Sequence, residues 1–107
     1  MILMHGLFDL KDGVEEGEFC QDFELFSNHL RDVRLVVGGR FMRHQAHDGY
    51  NAREPSTEYY VSVEFVDMDQ AEACWDYVEK NDEPLKTLHG AVFSKIRNSA
   101  FFLSSDV

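Results

Sequence analysis

The stretch Glu58 to Val66 alternates more cleanly than any other part of the chain. Tyr59, Val61, Val63 and Phe65 fall on one side, and Glu58, Tyr60, Ser62 and Glu64 on the other, which predicts a half-buried strand. Met1 to Phe8 is apolar on both faces, with His5 and Gly6 inside it, and predicts a first strand within a sheet. Between these two strands the period changes. Phe19, Phe23, Phe26, Leu30 and Val33 recur at helical spacing, and Asp12 with Glu15 has the spacing of a capping box. A helix is expected over 13–32. Val33 to His44 then reads as a second strand, with Leu35, Val37 and Phe41 facing one way and Arg34, Val36, Arg40, Met42 and His44 the other. Gly38-Gly39 inside it marks a bulge or a close approach by the helix. Asp67 with Gln70 repeats the capping spacing and opens a second helix, whose stripe is Ala71, Cys74, Trp75 and Val78 and which ends near Asn81. Pro84 to Gly90 predicts a short helical turn, and Ala91 to Ile96 a fourth strand. After a break at Asn98-Ser99, Ala100 to Leu103 is a further extended apolar segment.

Strand, helix, strand, then strand, helix, strand is a doubled split βαβ unit. The fold class expected is α+β, a ferredoxin-like βαββαβ sandwich with a four-stranded antiparallel sheet and two helices on one face. Residues 1–107 make one domain. The other face of the sheet has no helix left to cover it. It carries Val36 and Met42, and the two-sided first and fourth strands add to it. Phe101, Phe102 and Leu103 are too apolar for a frayed end. A contiguous exposed patch of this kind marks an interface. The expectation is a two-fold homodimer with sheets packed face to face, a barrel between them and tails crossing to the partner. A monomer whose tail folds back over its own sheet is the alternative.

The order of elements resembles the dimeric α+β barrel superfamily. Its members include stress-responsive Dabb proteins, small cofactor-free monooxygenases of antibiotic biosynthesis, and EthD-like and muconolactone-isomerase-like proteins. The likeness covers roughly residues 1 to 105. It rests on the strand MILMHGLF, the phenylalanine helix, the strand-then-helix EYYVSVEFVDMDQAEACWDYV and the strand VFSKI. No short motif of a single member is present, so the resemblance assigns no catalytic residue. It implies a pocket, between sheet and helices or within the barrel, for a small and often apolar molecule.

Composition narrows the partners. Twenty acids stand against ten bases, a formal net charge of −10. Nucleic-acid binding needs a basic surface that releases counterions, and anionic membranes attract cations, so neither partner is expected. Cys20 and Cys74 lack CxxC spacing and read as buried thiols in a reducing compartment. The apolar start is short and has no basic flank, unlike a signal peptide or a span. A cytoplasmic protein without cofactor is expected.

The candidate chemistry lies on the uncovered face. Arg34, Val36, Arg40, Met42, His44, Tyr60, Ser62 and Glu64 are the candidate ligand-binding residues. Charges kept on a face that buries apolar groups need a partner or a ligand. An arginine there matches a carboxylate, and apolar walls take a tail, which points to a fatty-acid-like or other amphipathic acid. Paired charges, Arg40 with Glu64 for instance, in a filled structural dimer are the competing explanation. His5, His44, Tyr60 and Glu64 are the acid–base candidates for a cofactor-independent isomerase or monooxygenase. His44, His47 and Asp48 are the only metal-like grouping, but residues three apart on a strand point to opposite faces, and no metal is expected. The polar loop 45–57 is long for a hairpin, and Tyr50, Arg53 and Glu54 in it are lid candidates.

Overall fold

The computed structural model describes residues 1–50 and 56–107. In chain order these form β1 (Ile2–Leu10), α1 (Glu16–Asp32), β2 (Gly38–Arg43), β3 (Tyr59–Phe65), α2 (Met68–Glu79), α3 (Leu85–Phe93) and β4 (Ile96–Ser105). Among the described residues the strands make one antiparallel sheet in the order β2-β3-β1-β4. This is the ferredoxin-like βαββαβ arrangement, with α3 inserted as an additional helix before the last strand.

The register shows which side chains share a face. Ile2, Met4, Gly6 and Phe8 lie opposite Phe65, Val63, Val61 and Tyr59. Directly opposed residues point to the same side of a sheet. This side is buried, and the helices cover it with Phe19, Phe23 and Leu30 of α1, Ala71 and Cys74 of α2, and Leu85 of α3. The opposite side carries Gly38, Arg40 and Met42 of β2, Tyr60, Ser62 and Glu64 of β3, Leu3, His5 and Leu7 of β1, and Ala100, Phe102 and Ser104 of β4. No helix covers it among the described residues.

Local chemistry explains most element ends. At α2, Asp67 accepts a hydrogen bond from the Gln70 amide at 2.9 Å, in agreement with the capping spacing. Gln70 Oε1 accepts from the Val66 amide at 2.7 Å, and its Nε2 donates to the Arg34 carbonyl at 3.0 Å. One side chain thus ties the start of α2 to the turn after α1. The Asp12–Glu15 capping box does not form. The chain turns at Gly13, φ +82°, and α1 starts at Glu16, with Glu16 and Glu18 in the first turn, where acidic groups suit the helix dipole.

Two stretches differ from the periodicity argument. Val33 to Val37 is not strand but the turn that closes α1 and leads into β2. Arg34 donates its amide to the Arg31 carbonyl and Leu35 to the Leu30 carbonyl, both at 2.9 Å, with Arg34 at φ +62°. That is a Schellman closure with arginine where glycine is usual. Val36 lies in the connection before β2, outside its alternation, and is buried in the core, and Arg34 stands in the turn; neither is on the open face, whereas Arg40 and Met42 keep the expected side. The left-handed backbone costs a non-glycine residue about 1 kcal/mol. Arg34→Gly is expected to raise the unfolding free energy by about 0.5–1 kcal/mol, read as a higher urea midpoint at unchanged slope.

The second difference is at the C-terminal end. Ala91 to Phe93 completes α3 rather than starting a strand, and the fourth strand is the apolar segment expected to be a tail. It pairs with β1 along its length, and the Asn98-Ser99 break is a bulge inside it, with Asn98 at φ +55°. Phe101, Phe102 and Leu103 are therefore sheet residues on an edge strand, each about half exposed. No helix among the described residues is long and apolar enough to cross a membrane.

Candidate functional site

Between the sheet and the helices lies a cavity of about 360 Å³. Its walls are Met4 and Phe8 from β1, Val61, Val63 and Phe65 from β3, Phe19, Phe23, Phe26 and Leu30 from α1, Cys74, Trp75 and Val78 from α2, and Val92 and Phe93 from α3, with Ile96 and Phe101 from β4. Phe93 and Phe101 are about half exposed and carry the lining out to the surface. Three side chains in the lining bear hydrogen-bonding or ionisable atoms besides the Trp75 indole: His89, Glu79 and Cys74. Among the described residues no lysine or arginine lines it.

His89 comes from α3, whose Leu85, Leu88, His89 and Val92 form one helical stripe. Its ring stacks on Phe93 and tilts against Phe26, with centroids 5.6 Å away in each case. Burial lowers its pKa, so the imidazole is neutral at pH 7, with one nitrogen to donate and one to accept. Burial also pushes the Cys74 thiol up to about 11, which keeps it protonated and unreactive.

Polar pairs brace the frame around this cavity. Arg43 and Tyr59 both donate to Glu16, Tyr59 at 2.9 Å, and join the start of α1 to β2 and β3. The Arg43 guanidinium, then the Tyr59 hydroxyl, hold the Glu16 carboxyl below its ordinary range, and Glu16 raises Arg43 in return. Burial, then the neighbouring Glu16, raises the Tyr59 phenol. Lys95 binds Asp22 and Glu18 of α1, which raises its pKa. Asp9 accepts from the Asn98 side chain at 3.1 Å and from the Glu58 amide at 2.8 Å, and these bonds lower its pKa.

The open face gathers some of the expected residues and scatters others. Arg40, Ser62, His5 and Phe102 form one row across all four strands. Met42, Tyr60, Leu7 and Ala100 form the next row, and Gly38, Glu64, Leu3 and Ser104 the row on the other side. His5 Nδ1 lies 2.6 Å from the Tyr60 hydroxyl and Nε2 lies 2.6 Å from Ser104 Oγ. Arg40 and Glu64 make no ion pair with each other. Arg40 and Met42 also border a polar crevice of about 470 Å³ at the β2 edge, with Cys20, Glu24, Ser27 and Asn28 of α1.

The two loop histidines are engaged locally. His44 Nδ1 is 2.5 Å from the Thr57 carbonyl, and His47 Nδ1 accepts from the Gly49 amide at 3.0 Å. Among the described residues no three His, Cys, Asp or Glu side chains are gathered as a metal site. Tyr50 is exposed beside His47, while Arg53 and Glu54, the other lid candidates, lie outside the described residues.

The sequence profile of DUF6614, a family of unknown function, matches residues 1–106. The chain belongs to that family. No curated protein matches it in sequence. Its fold is shared with solved structures of low identity. SnoaB, a cofactor-independent oxygenase from Streptomyces nogalater, superposes with a TM-score of 0.70 at 12% identity, covering 98% of this chain and 91% of that one. A Dabb family protein with a ferredoxin-like fold from Mesorhizobium loti gives 0.62 at 16%, covering 99% and 96%. A dimeric ferredoxin-like protein of unknown function from Jannaschia sp. CCS1 gives 0.62 at 13%, covering all of both chains. The DUF6614 chain thus has the fold of the superfamily its element order resembles.

Proposed function

We propose that this DUF6614 protein is a homodimer, paired through its open sheet faces, in which each protomer binds a small, mostly apolar molecule between helices and sheet. The observation that carries this reading is the cavity itself: about 360 Å³, walled by aromatic and aliphatic side chains, with a neutral histidine as its polar handle. The pairing is supported by Leu3, Leu7, Met42 and Phe102 on the open face and by the dimeric state of the Jannaschia protein.

The chemistry of the cavity favours an uncharged ligand over a fatty-acid anion. The arginine invoked for a carboxylate, Arg40, is on the other side of the sheet, and Glu79 repels an anion at the lining. A hydroxyl that donates to His89 or Glu79 fits better. In calorimetric titration, 4-butylphenol is expected to bind at least about 10-fold more tightly than octanoate, a difference of about 1.4 kcal/mol. His89→Leu is expected to remove most of that preference. Tighter binding of octanoate, lost in Arg40→Ala, would move the site to the open face and restore the fatty-acid reading.

A second reading is supported by the same histidine. A neutral imidazole at an apolar cavity is a competent base for abstracting a phenolic or carbon-bound proton, and SnoaB shows that the shared fold hosts a cofactor-independent oxygenase. Oxygen uptake with an electron-rich phenol, absent in His89→Leu, is the outcome that separates catalysis from binding.

A further inference from the structure

Gly6 is buried in the middle of β1, on the side of the sheet that the helices cover. Its backbone does not call for glycine, since Gly13 is the glycine with a positive φ among the described residues. Glycine inside a strand weakens it and gives no side chain to pack, and it marks a place where another group comes close. Here two side chains do so. A methyl group on Gly6 would stand 2.8 Å from Phe101 Cε1, 3.0 Å from Phe101 Cδ1 and 2.9 Å from Val61 Cγ2. Carbon atoms rest against each other at about 3.5–4.0 Å, so that methyl has no room. Val61 and Phe101 are the residues directly opposite Gly6 on β3 and β4. They lean together over it and fill the place its side chain would take. One edge of the Phe101 ring thus lies down on the sheet, as part of the cavity floor, and the ring is about half exposed.

We propose that Gly6 and Phe101 together set the size of the apolar group that the cavity accepts, an inference that rests on reading the cavity as a ligand site. With the ring laid in the notch at Gly6, the whole space of about 360 Å³ stays free for a ligand. Any side chain at position 6 displaces the ring. It can rise toward the helices, or it can swing out past the edge strand into water. Rising keeps its apolar surface among the phenylalanine, leucine and valine side chains of the lining, and swinging out exposes that surface. The ring therefore rises and takes up volume that a ligand would fill. His89 and Glu79, the partners of a ligand hydroxyl, come from α3 and α2 rather than from the strands that carry the pair. The polar end of the ligand keeps its partners, and the apolar end loses its room. Gly6 and Phe101 are specificity-determining residues and take no part in bond making.

The test is calorimetric titration of the intact protein with phenol, 4-ethylphenol, 4-butylphenol and 4-hexylphenol. In the unaltered protein the affinity is expected to rise about four-fold per methylene as far as butyl. Gly6→Ala is expected to keep the phenol affinity within about two-fold and to weaken 4-butylphenol about 10-fold or more. Adding Phe101→Ala to Gly6→Ala is expected to restore 4-butylphenol, because the ring that was raised is gone. Phe101→Ala alone places no new group in the strand, and it decides the matter if Gly6→Ala does not fold. It is expected to carry the rise on to hexyl, about 10-fold beyond butyl. A chain-length profile left unchanged by Phe101→Ala, or a folded Gly6→Ala protein that accepts longer chains than the unaltered one, overturns the assignment of the pair while the cavity remains a ligand site. An unaltered protein that binds none of the four phenols overturns the ligand-site reading and the pair with it.

Discussion

Replacing Phe8 with alanine is expected to lower the unfolding free energy by about 3–5 kcal/mol. Phe8 is almost completely buried on the central strand β1, and its ring packs on those of Phe19, Tyr59 and Phe41, at centroid distances of 5.2, 6.0 and 6.1 Å. Its removal takes away a buried aromatic and adds its volume to a cavity that the neighbours already fail to fill. Domains of this size are stable by about 5–15 kcal/mol, so the variant sits near the edge of folding. Urea unfolding followed by tryptophan fluorescence reads the effect through Trp75, with a fall in melting temperature of about 12 °C or more. A loss below about 1 kcal/mol would mean that the sheet and α1 close over the gap. The cavity would then be soft rather than preformed.

Placing glutamate at Leu3 and Leu7 together is expected to raise the dimer dissociation constant more than about 100-fold while leaving a folded monomer. Both residues point to the open face from a strand flanked on either side, so their backbone bonds are unaffected. In a two-fold pair each substitution appears twice, and four carboxylates must be desolvated against one another on a chain already at −10. Sedimentation velocity across a dilution series, with circular dichroism as the control for folding, decides it. A dimer of undiminished affinity would place the contact elsewhere, with the free edge of β4 and its exposed Phe101 and Leu103 as the next surface to alter.

The parts of the fold legible in the chain are those that one local rule decides. The alternation of β3 places Tyr59, Val61, Val63 and Phe65 on the covered side without exception, and Asp67 caps α2 as its spacing requires. Pattern and structure part where two rules compete. Leu35-Val36-Val37 has strand composition, but it follows a helix that closes through a left-handed Arg34 and precedes β2, so Val36 is not part of the strand's alternation and packs into the core. Gly90 has the character of a helix stop. The apolar stripe of α3 carries on past it to Val92, and tertiary packing outweighs the modest cost of a glycine in a helix.

The sites depend on the elements in the same way. Tyr60 is foreseeable because the alternation of β3 gives the correct parity; β1 is apolar on both faces, and only the register shows that His5 shares the side of Tyr60. Ser104 and Phe102 escape a pattern that treats the last strand as an unpaired tail, because the run Phe101-Phe102-Leu103 has no alternation to say which side each faces. His89 is hidden in a helix that its length and Gly90 mark as a turn, and only its spacing from Leu85 and Val92 places it on an apolar stripe.

The pairing of β1 with β4 brings residues 2–10 against residues 96–105. A contact this distant in the chain is among the slowest to form, since nearly the whole length must be closed into a loop first. Met4 and Phe8 supply one wall of the cavity, and Ile96 and Phe101 another, so the space is complete only when the final strand docks. A molecule that fills the cavity therefore holds shut a door that closes late, and it prolongs the life of the folded state more than it hastens its arrival.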